Sequence, residues 1–176
     1  MKRALLSFCL LMVISLLAAC GSNEEQSAVE QETSDIKGLV SDFTAGNMKD
    51  QSASITSHEL IVTNSDQSKK VYDLSEEEFF VSIAPYINNT HPCQDHNLTG
   101  CQGELVGQEV SLYIEDSEGN VIKDEIVTTQ DNGFIDLWLP RDDSYRVTVK
   151  QGDLSAESEI STFEGNNTCI TDMQLL

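Results

Sequence analysis

Two cysteines and two of the chain's three histidines crowd into residues 91–101, which read His91-Pro92-Cys93-Gln94-Asp95-His96-Asn97-Leu98-Thr99-Gly100-Cys101. A further cysteine, Cys169, stands near the C-terminus. Thiolate plus imidazole is the donor set of soft and borderline transition metals, so the chemistry implied is that of Cu(I) or Zn(II), not of Mg(II) or Ca(II). Pro92 biases His91 toward extended backbone. The Cys93-x-x-His96 spacing puts both side chains on one side of a turn-like step. Gly100 and Gly103 let the backbone fold tightly around Cys101. The paired Cys-x-x-Cys hairpins of a zinc ribbon are missing, so spacing alone leaves the metal open.

The chain has five cysteines. The N-terminus reads as an export signal: Lys2 and Arg3, then an apolar stretch from Ala4 to Ala19, too short for a comfortable membrane span. Its ending, Leu17-Ala18-Ala19-Cys20-Gly21-Ser22, resembles a bacterial lipobox, which implies lipid on Cys20 and a mature chain that begins there. Cys9 leaves with the signal. Three cysteines remain, and an odd number cannot close entirely into intrachain disulfides. The plainer alternative is a structural Cys93–Cys101 disulfide, with Cys169 buried as a small hydrophobe.

Those residues must be positioned by something, and the alternation of apolar residues predicts strands. Residues 21–34 have one valine and no aromatic, and read as a disordered acidic tether. Ile36, Leu39, Val40 and Phe43 have helical spacing. Leu60–Thr63 and Lys70–Leu74 flank a polar turn and predict a hairpin, and Phe79, Val81 and Ile83 form the apolar face of a strand. Beyond residue 105, strands are predicted at Val110–Ile114, Val121–Thr129, Ile135–Leu139, Tyr145–Val149, Leu154–Phe163 and Thr168–Leu176. The expected fold is mainly β: an antiparallel β-sandwich preceded by a small N-terminal hairpin and helix region. The phrase Gly119-Asn120-Val121, Thr128-Thr129, Asp131-Asn132-Gly133-Phe134, Leu137-Trp138-Leu139-Pro140 and Tyr145-Arg146-Val147 resembles the prealbumin-type sandwich of carboxypeptidase regulatory domains. The expected division is a signal at 1–19, a tether at 20–35, a small N-terminal region at 36–87 and the sandwich at 88–176.

The sequence holds 30 acidic against 10 basic side chains, a formal net charge of −20. That excludes a nucleic-acid surface, whose phosphates need basic residues. It fits a tethered soluble domain that concentrates cations nearby. No Ser-His-Asp set, phosphate-binding glycine loop or His-Glu-x-x-His motif is present. His58 reads as a solvated surface residue, Met173 as core in preference to a thioether donor, and Trp138 as sandwich packing.

The run Phe80-Val81-Ser82-Ile83-Ala84-Pro85-Tyr86, then Thr90-His91-Pro92-Cys93, His96-Asn97-Leu98-Thr99, Cys101-Gln102-Gly103-Glu104-Leu105 and Thr168-Cys169-Ile170-Thr171-Asp172-Met173-Gln174-Leu175 closely resembles the CueP family of bacterial copper-binding proteins. The resemblance covers roughly 39–175. It implies a protein that acts outside the cytoplasm in copper resistance, binds copper through Cys93, Cys101 and Cys169, and reduces Cu(II) to Cu(I). It implies His96, and after it His91, as auxiliary ligands, and an exported copper-dependent enzyme such as superoxide dismutase as recipient. The lipobox departs from the better-known members, which are soluble in a periplasm. The chemistry agrees from below: two thiolates can yield two electrons and become a disulfide, while the remaining sulfur and an imidazole hold Cu(I). Zinc is the second metal considered, and a homodimer is left open. The competing function is a tethered structural or adhesive β-sandwich whose cysteines only stabilise it.

Overall fold

The structure, a computed structural model, describes residues 35–176. The signal, the lipobox cysteine Cys20 and nearly all of the tether lie outside the described residues. Among those described, no helix is long and apolar enough to cross a membrane.

Helix α1 (35–44) buries Ile36, Val40 and Phe43, one stripe at helical spacing. It ends where Gly46 takes a φ of 69°. There Asn47 N–H donates to Asp42 O (2.9 Å) and Gly46 N–H to Phe43 O (3.1 Å), a glycine-terminated cap that satisfies the last carbonyls. Strands β1 (Gln51–Ile55), β2 (Glu59–Asn64) and β3 (Lys69–Asp73) form an antiparallel meander. Its inward residues Ala53, Ile55, Leu60 and Val62 pack with the helix stripe.

Strand β4 (Glu78–Ile83) is buried on both faces. Phe79, Val81 and Ile83 enter the larger core, while Phe80 enters the core under α1. After the two-residue strand β5 (His96–Asn97) come β6 (Glu109–Glu115), β7 (Val121–Thr128), β8 (Ile135–Pro140), β9 (Ser144–Gln151), β10 (Leu154–Ser161) and β11 (Cys169–Ile170). One sheet has the order β10-β9-β6-β7, a second β11-β4-β8, and a third β3-β2-β1-β5. The first two sandwich Val110, Leu112, Ile114, Leu137, Val147 and Val149, the residues that alternate in the sequence. The expected mainly-β, antiparallel sandwich is therefore present, and the 36–87 region gives it β4 as the middle strand of one sheet.

Two sequence expectations change. The C-terminal strand is short and parallel to β4, with Cys169 opposite Ser82. Pro85 has no N–H to offer, so the ladder breaks there. It resumes only as Tyr86 N–H to Met173 O (3.1 Å) and Leu175 N–H to Tyr86 O (2.8 Å). Met173 and Leu175 still fill the sandwich core. Trp138 faces away from that core: it packs edge-on to Phe80 (centroids 5.2 Å apart), with Lys37 Nζ 5.3 Å from its ring centroid.

Candidate metal centre

The loop that carries the first cysteines is pinned at three places. Glu104 accepts backbone N–H bonds from Ile87 (2.7 Å), Asn88 (2.8 Å) and Asn89 (3.1 Å), which fixes where the loop begins. Those three amides hold its pKa down at about 2. In the middle, β5 pairs with β1, His96 opposite Ile55, and Leu98 N–H donates to Ala53 O (2.9 Å). At the far end, Asn97 O accepts the N–H of Gly100 (3.2 Å) and of Cys101 (2.9 Å), so one turn returns Cys101 toward Cys93.

Glycine is required just beyond. Gly103 N–H donates to Asn132 O (2.6 Å), and a Cβ on Gly103 would stand 2.7 Å from Gly133 O. Gly133, at a φ of 80°, faces the same limit against Gly103 O (2.6 Å). This close approach seats the 131–133 turn against the loop and delivers Phe134 behind it.

Cys169 reaches the loop through its neighbour. Thr168 Oγ1 accepts the His96 N–H (2.9 Å) and donates to Ile55 O (2.6 Å), both buried. The N–H groups of Thr168 (3.1 Å) and Cys169 (3.0 Å) both donate to Gln94 O. Two chain segments far apart in sequence are thus clamped side by side.

Donor atoms of Cys93, His96, Cys101 and Cys169 all lie within 4.8 Å of one another. Cys93 and Cys169 are joined by a disulfide, with Cα atoms 5.6 Å apart. The Cys93–Cys101 pairing considered from sequence is not the one formed, because the Thr168 and Gln94 bonds bring Cys169 to the loop. Cys101 is free and half-buried, its Sγ 3.5 Å from Cys93 Sγ. His96 is fully buried, with Nδ1 3.4 Å from Cys169 Sγ and, among the described residues, no hydrogen-bond partner on Nε2. Burial, with the nearby His91 adding to it, pushes the His96 pKa down to about 4. The imidazole is therefore neutral near pH 7 and keeps a lone pair for a metal. With the Cys93–Cys169 disulfide reduced, three thiol sulfurs and one neutral imidazole suit a soft metal.

His91 stands outside the four-donor group, its ring 6.4 Å from that of Phe134. Phe134 is the residue that sequence reasoning passed over. It is fully buried, its ring centroid is 4.6 Å from that of His96, and it packs with Cys169, Cys93 and Cys101. Its only sequence signal is its place after the Asp131-Asn132-Gly133 turn. On the open side, a hollow of about 510 Å³ is lined by Pro92, Cys93, Gln94, Asn167, Cys169 and Thr171 among others. His58 is exposed, as expected.

The family described as "Periplasmic copper-binding protein CueP" matches residues 36–174. The fold is similar to that in the crystal structure of S.CueP, with a TM-score of 0.76 and 31% sequence identity over 90% of this chain and 100% of that one. No curated protein matches the sequence.

Proposed function

Because this chain belongs to the CueP family of periplasmic copper-binding proteins, we propose that Cys93, Cys101, Cys169 and His96 are its copper donors, and that their sulfurs reduce Cu(II) and keep the product as Cu(I). Copper binding outside the cytoplasm comes with the family; the donor set and the reduction are our reading. The observation that carries it is the four-donor group, whose sulfur and nitrogen atoms fall within 4.8 Å of one another.

His96, neutral and oriented by the Thr168 clamp, meets incoming Cu(II) together with one thiolate, since imidazole suits Cu(II). His91, just outside the group, is an auxiliary donor to the arriving ion. Each Cu(II) takes one electron. Two thiolates therefore reduce two ions, form one disulfide, and leave one thiol with the imidazole to retain Cu(I). The same donor set takes Zn(II), which would compete for the site without being reduced. Delivery of Cu(I) to an exported copper-dependent enzyme such as superoxide dismutase is the downstream step of this reading.

The test is anaerobic. Reduced protein is given Cu(II), and Cu(I) is read with a chromogenic chelator while free thiols are counted. One thiol should disappear for each Cu(I) formed, and the variant with Cys93, Cys101 and Cys169 all replaced by serine should form none. Equal Cu(I) from that variant would mean that sulfur is not the electron source. The anchoring part of the proposal rests on the lipobox: Cys20→Ala should move the protein from the membrane to the soluble fraction. Wild-type protein found unlipidated would end it.

A further inference from the structure

We propose that Cys93 is the exchange sulfur of the cluster: the oxidised site interconverts between a Cys93–Cys169 and a Cys93–Cys101 disulfide. The second form frees Cys169 beside His96 as the pair that retains Cu(I). The retention half rests on the copper reading above, whereas the exchange half stands on geometry.

Cys93 Sγ is bonded to Cys169 and is also 3.5 Å from Cys101 Sγ. A thiolate breaks a disulfide by attacking one of its sulfurs, and access decides which. Cys101 has its sulfur contact with Cys93, and among the described residues no hydrogen-bond-range contact joins it to Cys169. The two outer cysteines are anchored, Cys101 by the turn on Asn97 O and Cys169 by β11 and Gln94 O. Cys93 alone has its sulfur against both of the others, so it is the sulfur placed to change partners.

The step balances without any outside reagent. A lone pair on the Cys101 thiolate forms the Cys101–Cys93 bond, the Cys93–Cys169 bond breaks, and Cys169 leaves as thiolate. The proton that Cys101 gave to solvent is available to Cys169, and one thiol and one disulfide stand on each side. The product differs in where the thiol sits. Cys101 is half-exposed, whereas Cys169 is 2% exposed and has His96 Nδ1 at 3.4 Å. Exchange thus moves the free thiol from the surface of the site to its buried sulfur–nitrogen pair.

The test uses the mature, copper-free protein oxidised with diamide, the two-electron acceptor. After incubation it is quenched in acid denaturant, labelled with N-ethylmaleimide and digested with pepsin, with cleavage at Leu98 separating Cys93 from Cys101. Each molecule should carry one label, divided between Cys101 and Cys169 and absent from Cys93. Cys169→Ser should form the Cys93–Cys101 disulfide at the same diamide dose, and Cys93→Ser should keep two labels. Label confined to Cys101 in the wild type, label on Cys93, or two free thiols in oxidised Cys169→Ser would each overturn the proposal. Because copper is absent, a positive result together with no Cu(I) from the reduced wild type would remove the copper-reduction reading and leave the exchange standing.

Discussion

His96 Nδ1 lies 3.4 Å from Cys169 Sγ, although 73 positions separate the two residues in the chain. Neither has more than a trace of solvent exposure. The contact ties the edge strand of the N-terminal sheet to the parallel edge strand of the sandwich, so the candidate site sits on a joint between sheets.

Thr168 holds that joint with one hydroxyl and two buried hydrogen bonds. Thr168→Val keeps the shape and removes both, leaving the His96 N–H and the Ile55 carbonyl unpaired. The expected loss is ~2 kcal/mol in chemical denaturation. Thr168→Ser should recover most of it. An unchanged midpoint in the valine variant would show that water replaces the clamp.

His96→Ala should separate capture from retention. Imidazole favours Cu(II) and thiolate favours Cu(I), so the variant should take up Cu(II) poorly in competition with a Cu(II) chelator. Its hold on Cu(I), titrated against a Cu(I) chelator with all three cysteines kept reduced so that three thiolates remain, should fall less. Equal losses in both titrations would contradict the assigned roles.

Acid should release the start of the loop. The Glu104 carboxyl titrates near 2 in the folded protein against an ordinary 4.5. A depressed carboxyl pKa contributes stability that is complete above the unfolded value and is lost as pH falls from about 4.5 toward 2. Glu104→Gln should flatten the acid limb of a stability profile in that window and change little at pH 7 beyond a constant offset. An acid limb unchanged in the variant would count against the three-amide cradle.

Gly133→Ala places a methyl 2.6 Å from Gly103 O on backbone that side chains rarely adopt. The expected cost is of order 1–3 kcal/mol, read as a lower melting temperature. Gly46→Ala, with a similar φ but open space around it, should cost less. Equal losses at the two positions would mean that backbone strain, not the close approach, is what Gly133 relieves.

Much of the frame is visible in local pattern. Val110, Leu112 and Ile114, like Tyr145, Val147 and Val149, alternate in sequence and are buried in the structure. The helix stripe Ile36, Val40 and Phe43 is equally direct. The cysteines and His96 declared themselves by residue type and crowding. What supports them did not. Thr168 and the Gln94 carbonyl act through single hydrogen bonds between distant segments, which leave no period to detect. Phe134 looked like the exit of a turn because its burial depends on two glycines meeting across loops. The parallel pairing of Cys169 with Ser82 was hidden as well, since a two-residue strand has no alternation to show.

Strand β4 has a consequence for how the protein opens. Its odd residues belong to one core and Phe80 to the other, and the N–H groups of Ser82 and Ala84 bond to the carbonyls of Thr168 and Ile170 (both 2.8 Å). A strand shared in this way cannot melt on one side alone. The Ser82 and Ala84 amides, which bond to the strand that carries Cys169, should then exchange their hydrogens only through the rarest, whole-molecule openings. Copper held beside Cys169 would then enter and leave through the open hollow lined by Cys93 and Cys169, and not through the packed side that β4 closes.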